Sequence, residues 1–321
     1  MSVFAAFDAY QATVDADPAQ VALARERRDV FVGALENAKG VVEVVKSGSL
    51  QRSTQLQPIH DVDLIVVFDT EEHSSWGQSG ASSAQALEHV HDLVTSCLGT
   101  GSGSVDQLVR LALHANRNRA VKCFVDPPEQ ENAFTVDVMP VLRQSDGTLL
   151  VPSTTDERWS TADPEFLIEQ VATRQREWSY FRPLVRVLKD WRLDVRVEGK
   201  IKSLVMEVLA LECLPRQGNR PNALRSFFTS AAVRVNTGVS DPAGHCGLIQ
   251  PDLDVEGLRS ALEEAADMAD LACDLSTRND TDSALRVWQE LFGSDFPAPP
   301  KKPKGGVAAA PAPLIKDAPQ G

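Results

Sequence analysis

Two aspartates open the most hydrophobic segment of the chain. Asp61 and Asp63 stand at the head of Val62–Phe68, an apolar run typical of a buried β-strand. Side chains two residues apart in a strand lie on the same face, about 6–7 Å apart, so both carboxylates are expected to project together. Two such carboxylates repel each other unless a cation or proton lies between them. Mg²⁺ prefers oxygen ligands and keeps positions open for phosphate, so the pair predicts a magnesium site.

A third carboxylate strengthens this prediction. Asp137 lies between Val136 and Val138 in a second predicted strand, Ala133–Val141. An acidic side chain inside such a strand is costly unless it has a partner. Three carboxylates on neighbouring strands can hold two metal ions about 3.5–4 Å apart, an arrangement that supports in-line displacement at phosphorus. We therefore predict Asp61, Asp63 and Asp137 as catalytic, metal-binding residues of a nucleotidyl transfer reaction.

A glycine-serine turn precedes the aspartate pair. Gly48 and Ser49 follow the predicted strand Val41–Lys46. Glycine allows the backbone to approach a ligand closely, and exposed N–H groups with a serine hydroxyl can hold phosphate oxygens. The alternative interpretations are an ordinary turn at Gly48 and a solvated strand end at Asp61 and Asp63.

Composition limits the classes of function. The 321 residues carry a net charge of −13, which argues against a stable nucleic-acid partner because duplex binders need a basic surface. The five cysteines have no metal-ligand spacing, and we expect a cytoplasmic protein with reduced thiols. No apolar run is long enough to cross a membrane, so no membrane association is predicted.

The order of predicted elements indicates two lobes. Strands mixed with helices precede Asp163, and helices alone follow it, which favours an α+β lobe and then a helical lobe. We place the first lobe at residues 1–160, with a long helix predicted over 18–38, and the helical lobe at 161–293.

These motifs together resemble a known family. Gly48-Ser-x-x-Arg-x-Thr54, followed by Asp-x-Asp and a distant Asp, resembles the pattern of the polymerase-β-like nucleotidyltransferases, most closely the cGAS/DncV-like branch (CD-NTases). Later segments that agree are Leu184–Trp191, Lys202-Ser203-Leu204 and Asp241-Pro242.

The resemblance implies a fold and a set of contacts. It implies a polymerase-β-like lobe, a mixed sheet with helices, followed by an all-helical lobe, with the active site in the cleft between them. It also implies that Lys189 and Ser203 reach the donor triphosphate. Without it, Lys189 is most simply a solvated helix lysine and Ser203 a helix cap. The nucleotide-binding residues predicted in full are Gly48, Ser49, Gln51, Thr54, Lys189 and Ser203, with Gln51 and Thr54 also open to a capping role.

The function implied is synthesis of a second messenger. The enzyme is expected to join nucleoside triphosphates, including ATP, into a cyclic or short linear oligonucleotide in bacterial anti-phage (CBASS) signalling, without a template. Two Mg²⁺ ions are expected as cofactors, with Mn²⁺ as a substitute, and a downstream effector is expected to bind the product. The alternatives are a nucleotidyltransferase that modifies tRNA or a protein, and a non-catalytic nucleotide sensor.

The C-terminal segment differs in composition from the rest. Residues 294–321 contain seven of the 19 prolines, and we predict a disordered tail. Its last residue, Gly321, could serve as a conjugation site for a partner of the ubiquitin-activating type, as the resemblance implies. The alternative is an ordinary disordered end.

Overall fold

The computed structural model describes residues 1–99 and 118–299, together with the backbone of 113–114. The strands are β1 (Val41–Ser47), β2 (Asp61–Phe68), β3 (Leu113–His114), β4 (Val121–Phe124), β5 (Thr135–Arg143), β6 (Leu149–Ser153) and β7 (Arg158–Ala162). The α-helices are α1 (Val3–Val14), α2 (Pro18–Leu35), α3 (Gly48–Arg52), α4 (Ser82–Leu98), α5 (Pro164–Glu177), α6 (Phe181–Trp191), α7 (Ser203–Cys213), α8 (Arg220–Arg234), α9 (Val255–Thr277) and α10 (Thr281–Phe292).

The seven described strands form one mixed sheet. Its main order is β1-β2-β5-β4-β3, and β6 and β7 extend from β5. The central pair, β2 and β5, is parallel, and every other pair is antiparallel. This sheet with its helices, followed by helices α5–α10, confirms the predicted α+β class with a helical second lobe.

The faces of β2 explain its composition. Val62, Leu64 and Val66 are buried on one face against a core that includes Phe31 of α2 and Val90 of α4. The opposite face buries a smaller cluster around Ile65 and Val67, which also receives Val141 and Val151. Because both faces of β2 are covered, its sequence is a nearly continuous apolar run.

Capping residues fix the start of two long helices. Asp17 accepts hydrogen bonds from the amides of Ala19 and Gln20, and Pro18 occupies the first helical position of α2. Asp163 caps α5 in the same way through the amide of Phe166. Both follow the ordinary preference for aspartate at the N-cap and proline in the first turn.

The N-terminal helix is a correction to the predicted domain organisation. The helix α1 was not predicted, and its residues were assigned to the first lobe, 1–160. In the structure Phe7 and Tyr10 are 1% exposed and belong to the core of the helical lobe. The apolar spacing of Val3, Ala6, Phe7, Tyr10 and Val14 is helical and could have identified it.

The boundary of the predicted tail was also wrong. Phe296 lies inside the predicted disordered segment 294–321, yet it is fully buried in the helical core. Its ring centroid lies 5.0 Å from that of Phe7, and its carbonyl accepts a hydrogen bond from the Gln289 side chain. A single large aromatic side chain buries enough area to order the turn after α10. The remaining residues of the predicted tail, from position 300, lie outside the described residues.

None of the helices in the described part of the chain is both long enough and apolar enough to span a membrane.

The burial of Phe296 predicts its contribution to stability. We expect Phe296→Ala to lower the free energy of unfolding by about 3–5 kcal/mol, because it empties a fully buried aromatic site. Leu271→Ala on α9 is the control, since Leu271 is 53% exposed and should change stability by less than about 0.5 kcal/mol. Chemical denaturation followed by circular dichroism measures both values, and equal effects would contradict the assignment of Phe296 to the core.

Candidate functional site

The register of the sheet brings the three predicted aspartates together. In the parallel pair β2–β5, Asp63 is the direct neighbour of Asp137, and Asp61 is the neighbour of Thr135. Residues two apart in one strand share a face, and directly paired residues in neighbouring strands do so too. The three carboxylates therefore lie on one face at one end of the central strands, next to the turn that follows β1.

Burial differs among the three aspartates. Asp61 is exposed, whereas Asp63 and Asp137 are half-buried. Val62, between Asp61 and Asp63, and Val136, just before Asp137, are buried on the opposite face of the sheet. This alternation fixes the direction of the carboxylates, because a shift of one residue would turn them into the apolar core.

A lysine that the sequence analysis did not identify completes the row. Lys122 on β4 pairs directly with Asp137, so the order across the sheet is Asp63, Asp137, Lys122. Its ammonium nitrogen also lies 5.6 Å from the centre of the Phe124 ring. The signal was present in the sequence as a lone charge between Val121 and Cys123, both buried in β4. The row therefore has an anionic end beside β1 and a cationic end beside β4.

The turn at Gly48 contacts the aspartate row. Gly48 has a φ of +75°, and a Cβ atom built on it would lie 1.9 Å from Oδ2 of Asp63. The Asp63 carboxylate therefore occupies the space that any side chain at position 48 would need. Ser49 follows in the short helix α3, half-exposed, so its hydroxyl lies one residue from this contact.

The oxygen donors of the three aspartates fit a hard divalent cation, although their side chains are not arranged as a complete set of ligands. Within the ranges that the structure describes, no three acidic, histidine or cysteine side chains converge as ligands of one ion. Repulsion among carboxylates favours such a spread. Asp61, Asp63 and Asp137 nonetheless supply only oxygen donors from fixed strand positions, and Gly48 leaves room beside Asp63, which suits Mg²⁺ or Mn²⁺.

Two of the predicted nucleotide-binding residues have surroundings inside the protein. Thr54 is fully buried, so its side chain is not accessible to a ligand. Gln51 is turned toward α2, where its Oε1 accepts a hydrogen bond of 3.4 Å from Arg28. Thr54 also contributes to the turn through its backbone amide, which donates to the carbonyl of Ser49 at 2.9 Å. Nucleotide binding by Gln51 and Thr54 stays a prediction.

Lys189 is buried rather than exposed in a cleft. Its side chain is 3% exposed, and its Nζ donates to Oε1 of Glu207 at 2.8 Å and to the carbonyl of Thr54 at 2.6 Å. These two acceptors satisfy the ammonium group inside the protein. The burial contradicts the alternative of a solvated helix lysine, whereas contact between Lys189 and the triphosphate stays a prediction.

Ser203 is the first residue of α7 and is half-exposed. The N-cap position is Lys202, and no side chain caps this helix end, so capping does not account for Ser203. Phosphate binding by Ser203 stays a prediction. Gly321, the predicted conjugation site, lies outside the described residues.

Residues 1–175 match the family model described as the Second Messenger Oligonucleotide or Dinucleotide Synthetase domain. A probable cyclic nucleotide synthase of Bacillus cereus (strain VD146) is 23% identical over 326 residues, which cover 89% of this chain and 95% of the relative.

Solved structures of similar proteins share the fold. E. coli MS115-1 CdnC, solved with ATP, superposes with a TM-score of 0.70 at 19% identity, covering 93% of this chain and 99% of CdnC. The CD-NTase CdnG of Bradyrhizobium diazoefficiens, solved in complex with GTP, gives a TM-score of 0.65 at 11% identity, covering 90% of this chain and 94% of CdnG. Both likenesses extend over the sheet and the helical lobe.

The contact between Gly48 and Asp63 predicts the effect of adding one methyl group. We expect Gly48→Ala to reduce any activity of this site at least about 100-fold, because the new Cβ must displace the Asp63 carboxylate. Gly147→Ala is the matched control: Gly147 also has a positive φ, +89°, but nothing lies near its Cβ position. Both variants should lose about 1–2 kcal/mol of stability from backbone strain. Similar activity in the two variants would show that the contact is unimportant.

Proposed function

Because the chain belongs to the family of Second Messenger Oligonucleotide or Dinucleotide Synthetases, we propose that Asp61, Asp63 and Asp137 are its catalytic carboxylates. The chain is a nucleotidyltransferase of the CD-NTase group, which makes cyclic oligonucleotides from nucleoside triphosphates without a template in CBASS-like signalling. The observation that carries the residue assignment is the register, which sets Asp63 directly beside Asp137 and next to the Gly48 turn.

The order of groups across the sheet supports an assignment of roles. Gly48 and Ser49 adjoin Asp63 at one end of the row, so we place the donor triphosphate there, with backbone N–H groups and the Ser49 hydroxyl as phosphate ligands. Asp137 lies farther from the turn, between Asp63 and Lys122. We therefore assign Asp137 to the acceptor hydroxyl, and Lys122 to the neutralisation of negative charge on the acceptor side.

The reaction needs this separation of donor and acceptor. A ribose hydroxyl oxygen forms a bond to the α-phosphorus, the bond from that phosphorus to pyrophosphate breaks, and the electron pair leaves with pyrophosphate. Asp61, Asp63 and Asp137 would hold Mg²⁺ or Mn²⁺, which when bound would lower the pKa of the attacking hydroxyl and neutralise charge on the leaving group. The acceptor proton passes to solvent or to a carboxylate. The rigid strands β2 and β5 keep the groups aligned for in-line attack.

We place this activity in the cytoplasm, where nucleoside triphosphates are available. All five cysteines lie in described ranges and are free, which is consistent with a reducing compartment. A downstream effector that binds the product, and a ubiquitin-activating-type partner at Gly321, remain part of the proposal.

The carboxylate assignment predicts the behaviour of a double variant. We expect Asp61→Asn with Asp63→Asn to reduce product formation by at least about 1,000-fold, since the bound metals supply most of the transition-state charge stabilisation. Stability should be unchanged or higher, because two like charges are removed. The assay uses Mg²⁺ with labelled ATP, GTP, CTP and UTP, with and without tRNA, and separates products by chromatography.

The control is Asp69→Asn, which makes the same change of side chain just beyond the other end of β2. There the Asp69 carboxylate accepts a hydrogen bond from the amide of Glu71. It should retain full turnover. Near-normal turnover by the double variant would refute the carboxylate assignment, whereas label transferred to tRNA would favour the tRNA-modifying alternative. A wild-type protein that binds ATP without turnover would favour the nucleotide sensor.

A further inference from the structure

Three charged side chains meet in the interior at the junction of the two lobes. Glu207 on α7 is 1% exposed, and its carboxylate accepts hydrogen bonds from Arg52 Nε at 2.7 Å and from Lys189 Nζ at 2.8 Å. Arg52 and Lys189 are themselves buried. Buried ion pairs seldom stabilise a fold more than apolar residues of the same size would. A gain in stability therefore does not explain these three charges, and we look for their role in the elements that they connect.

The cluster connects α3, α6 and α7, the three helices that contain predicted phosphate-binding residues. Arg52 is the last residue of α3, the short helix that begins at Gly48 and Ser49. Glu207 lies four residues after Ser203, on the same face of α7 and one turn farther along the helix. The Arg52–Glu207 pair thus links the far end of α3, the short helix that begins beside Asp63, to the helix that presents Ser203.

Helix α6 holds the other side of the turn. Lys189 donates to the carbonyl of Thr54, and Arg186, one turn earlier, donates to the carbonyl of Ser53 at 2.8 Å. Ser53 has a left-handed backbone, with φ of +59°, and ends α3. Two cations of α6 therefore bind the two carbonyls that follow α3, so the helical lobe holds the C-terminal end of this short helix.

The charges in the cluster are maintained by one another. Burial by itself would raise the pKa of Glu207, but Arg52 and Lys189 outweigh it and hold the pKa well below its usual range. Burial lowers the pKa of Lys189, and Glu207 partly offsets that effect. Glu207 is thus ionised at neutral pH and faces two cationic groups. Its removal would leave both of them without their carboxylate.

We propose that Arg52, Lys189 and Glu207 are positioning residues that hold the Gly48–Ser49 turn at a fixed separation from Ser203, so that both can bind one donor triphosphate. The inference rests on the proposed function, because it takes a nucleoside triphosphate as the ligand between these two elements. It assigns Lys189 an indirect role in place of direct contact with phosphate.

Glu207→Gln distinguishes the two roles of Lys189. If the cluster positions the turn, this variant should weaken binding of a nonhydrolysable ATP analogue in the presence of Mg²⁺ about 10-fold and reduce kcat as well. If Lys189 instead binds phosphate directly, loss of its carboxylate partner should free the ammonium group and tighten binding. Glu212→Gln is the matched control, since Glu212 on the same helix pairs with Arg234 at 2.8 Å at the surface, and it should change neither quantity.

A second variant separates positioning from stability. Glu207→Gln leaves two buried cations and should lower the midpoint of thermal unfolding by about 5 °C or more. The triple variant Arg52→Met, Lys189→Met, Glu207→Leu removes all three charges together and should recover most of that loss. Analogue binding by the triple variant should still be at least about 10-fold weaker than in the wild type, measured well below the unfolding midpoint.

The outcomes test the positioning role and the proposed function separately. A stable triple variant that binds the analogue as tightly as the wild type overturns the positioning role, and so does tighter binding by Glu207→Gln. Product formation by the wild type is measured separately. Wild-type protein that binds the analogue but makes no product would refute the proposed function, while the binding comparison among variants would still test the cluster.

Discussion

The parallel pairing of β2 with β5 is the constraint on which the site depends. These two strands are not consecutive in the chain, and only their pairing sets Asp63 beside Asp137. At this end of the strands Val62 and Val136 are buried on one face and the aspartates lie on the other, so the hydrophobic effect fixes the register: a slip of one residue would turn the carboxylates into the apolar core. The same force that builds the core therefore aligns the carboxylates on the opposite side of the strand end.

The chemistry of the site follows from what surrounds that strand end. On one side, β1 leads into a glycine whose missing side chain leaves space for the Asp63 carboxylate. On the other, β4 supplies Lys122 beside Asp137. A row that runs from the Gly48 turn through Asp63 and Asp137 to Lys122 has two unlike ends. In the proposed reaction this polarity is what distinguishes the donor side of the sheet from the acceptor side.

The helical lobe contributes to the site through contacts with the residues that end and follow α3. Its core begins with α1, at the N-terminus, and ends with Phe296, so both described ends of the chain pack into one lobe. From this lobe α6 and α7 send Arg186, Lys189 and Glu207 to the short helix after Gly48. The segment that follows Gly48 is thus held by residues of both lobes, which is the basis of the positioning role that we propose.

The sequence by itself determined the features that are local in the chain. The period of two at Asp61 and Asp63, the glycine before Ser49 and the change from mixed elements to helices alone were sufficient to predict the fold class and the family. Helix α1 could have been predicted as well, since its apolar spacing is regular. Phe296 gave no such signal, because a single aromatic residue among prolines shows its burial only when α1 and α10 pack around it.

Tertiary structure alone decided the contacts between distant residues. The sequence around a helical lysine does not show whether its side chain faces solvent, phosphate or a buried glutamate. Only the packing of α6 on α7 brings Lys189 to Glu207. Glu207 was an isolated charge in the apolar run of α7, which indicates a buried partner but does not say which one. Lys122 likewise gained its place beside Asp137 from strand order. Charge pairing acts through space over a few ångströms, so its partners are fixed by the fold and not by spacing along the chain.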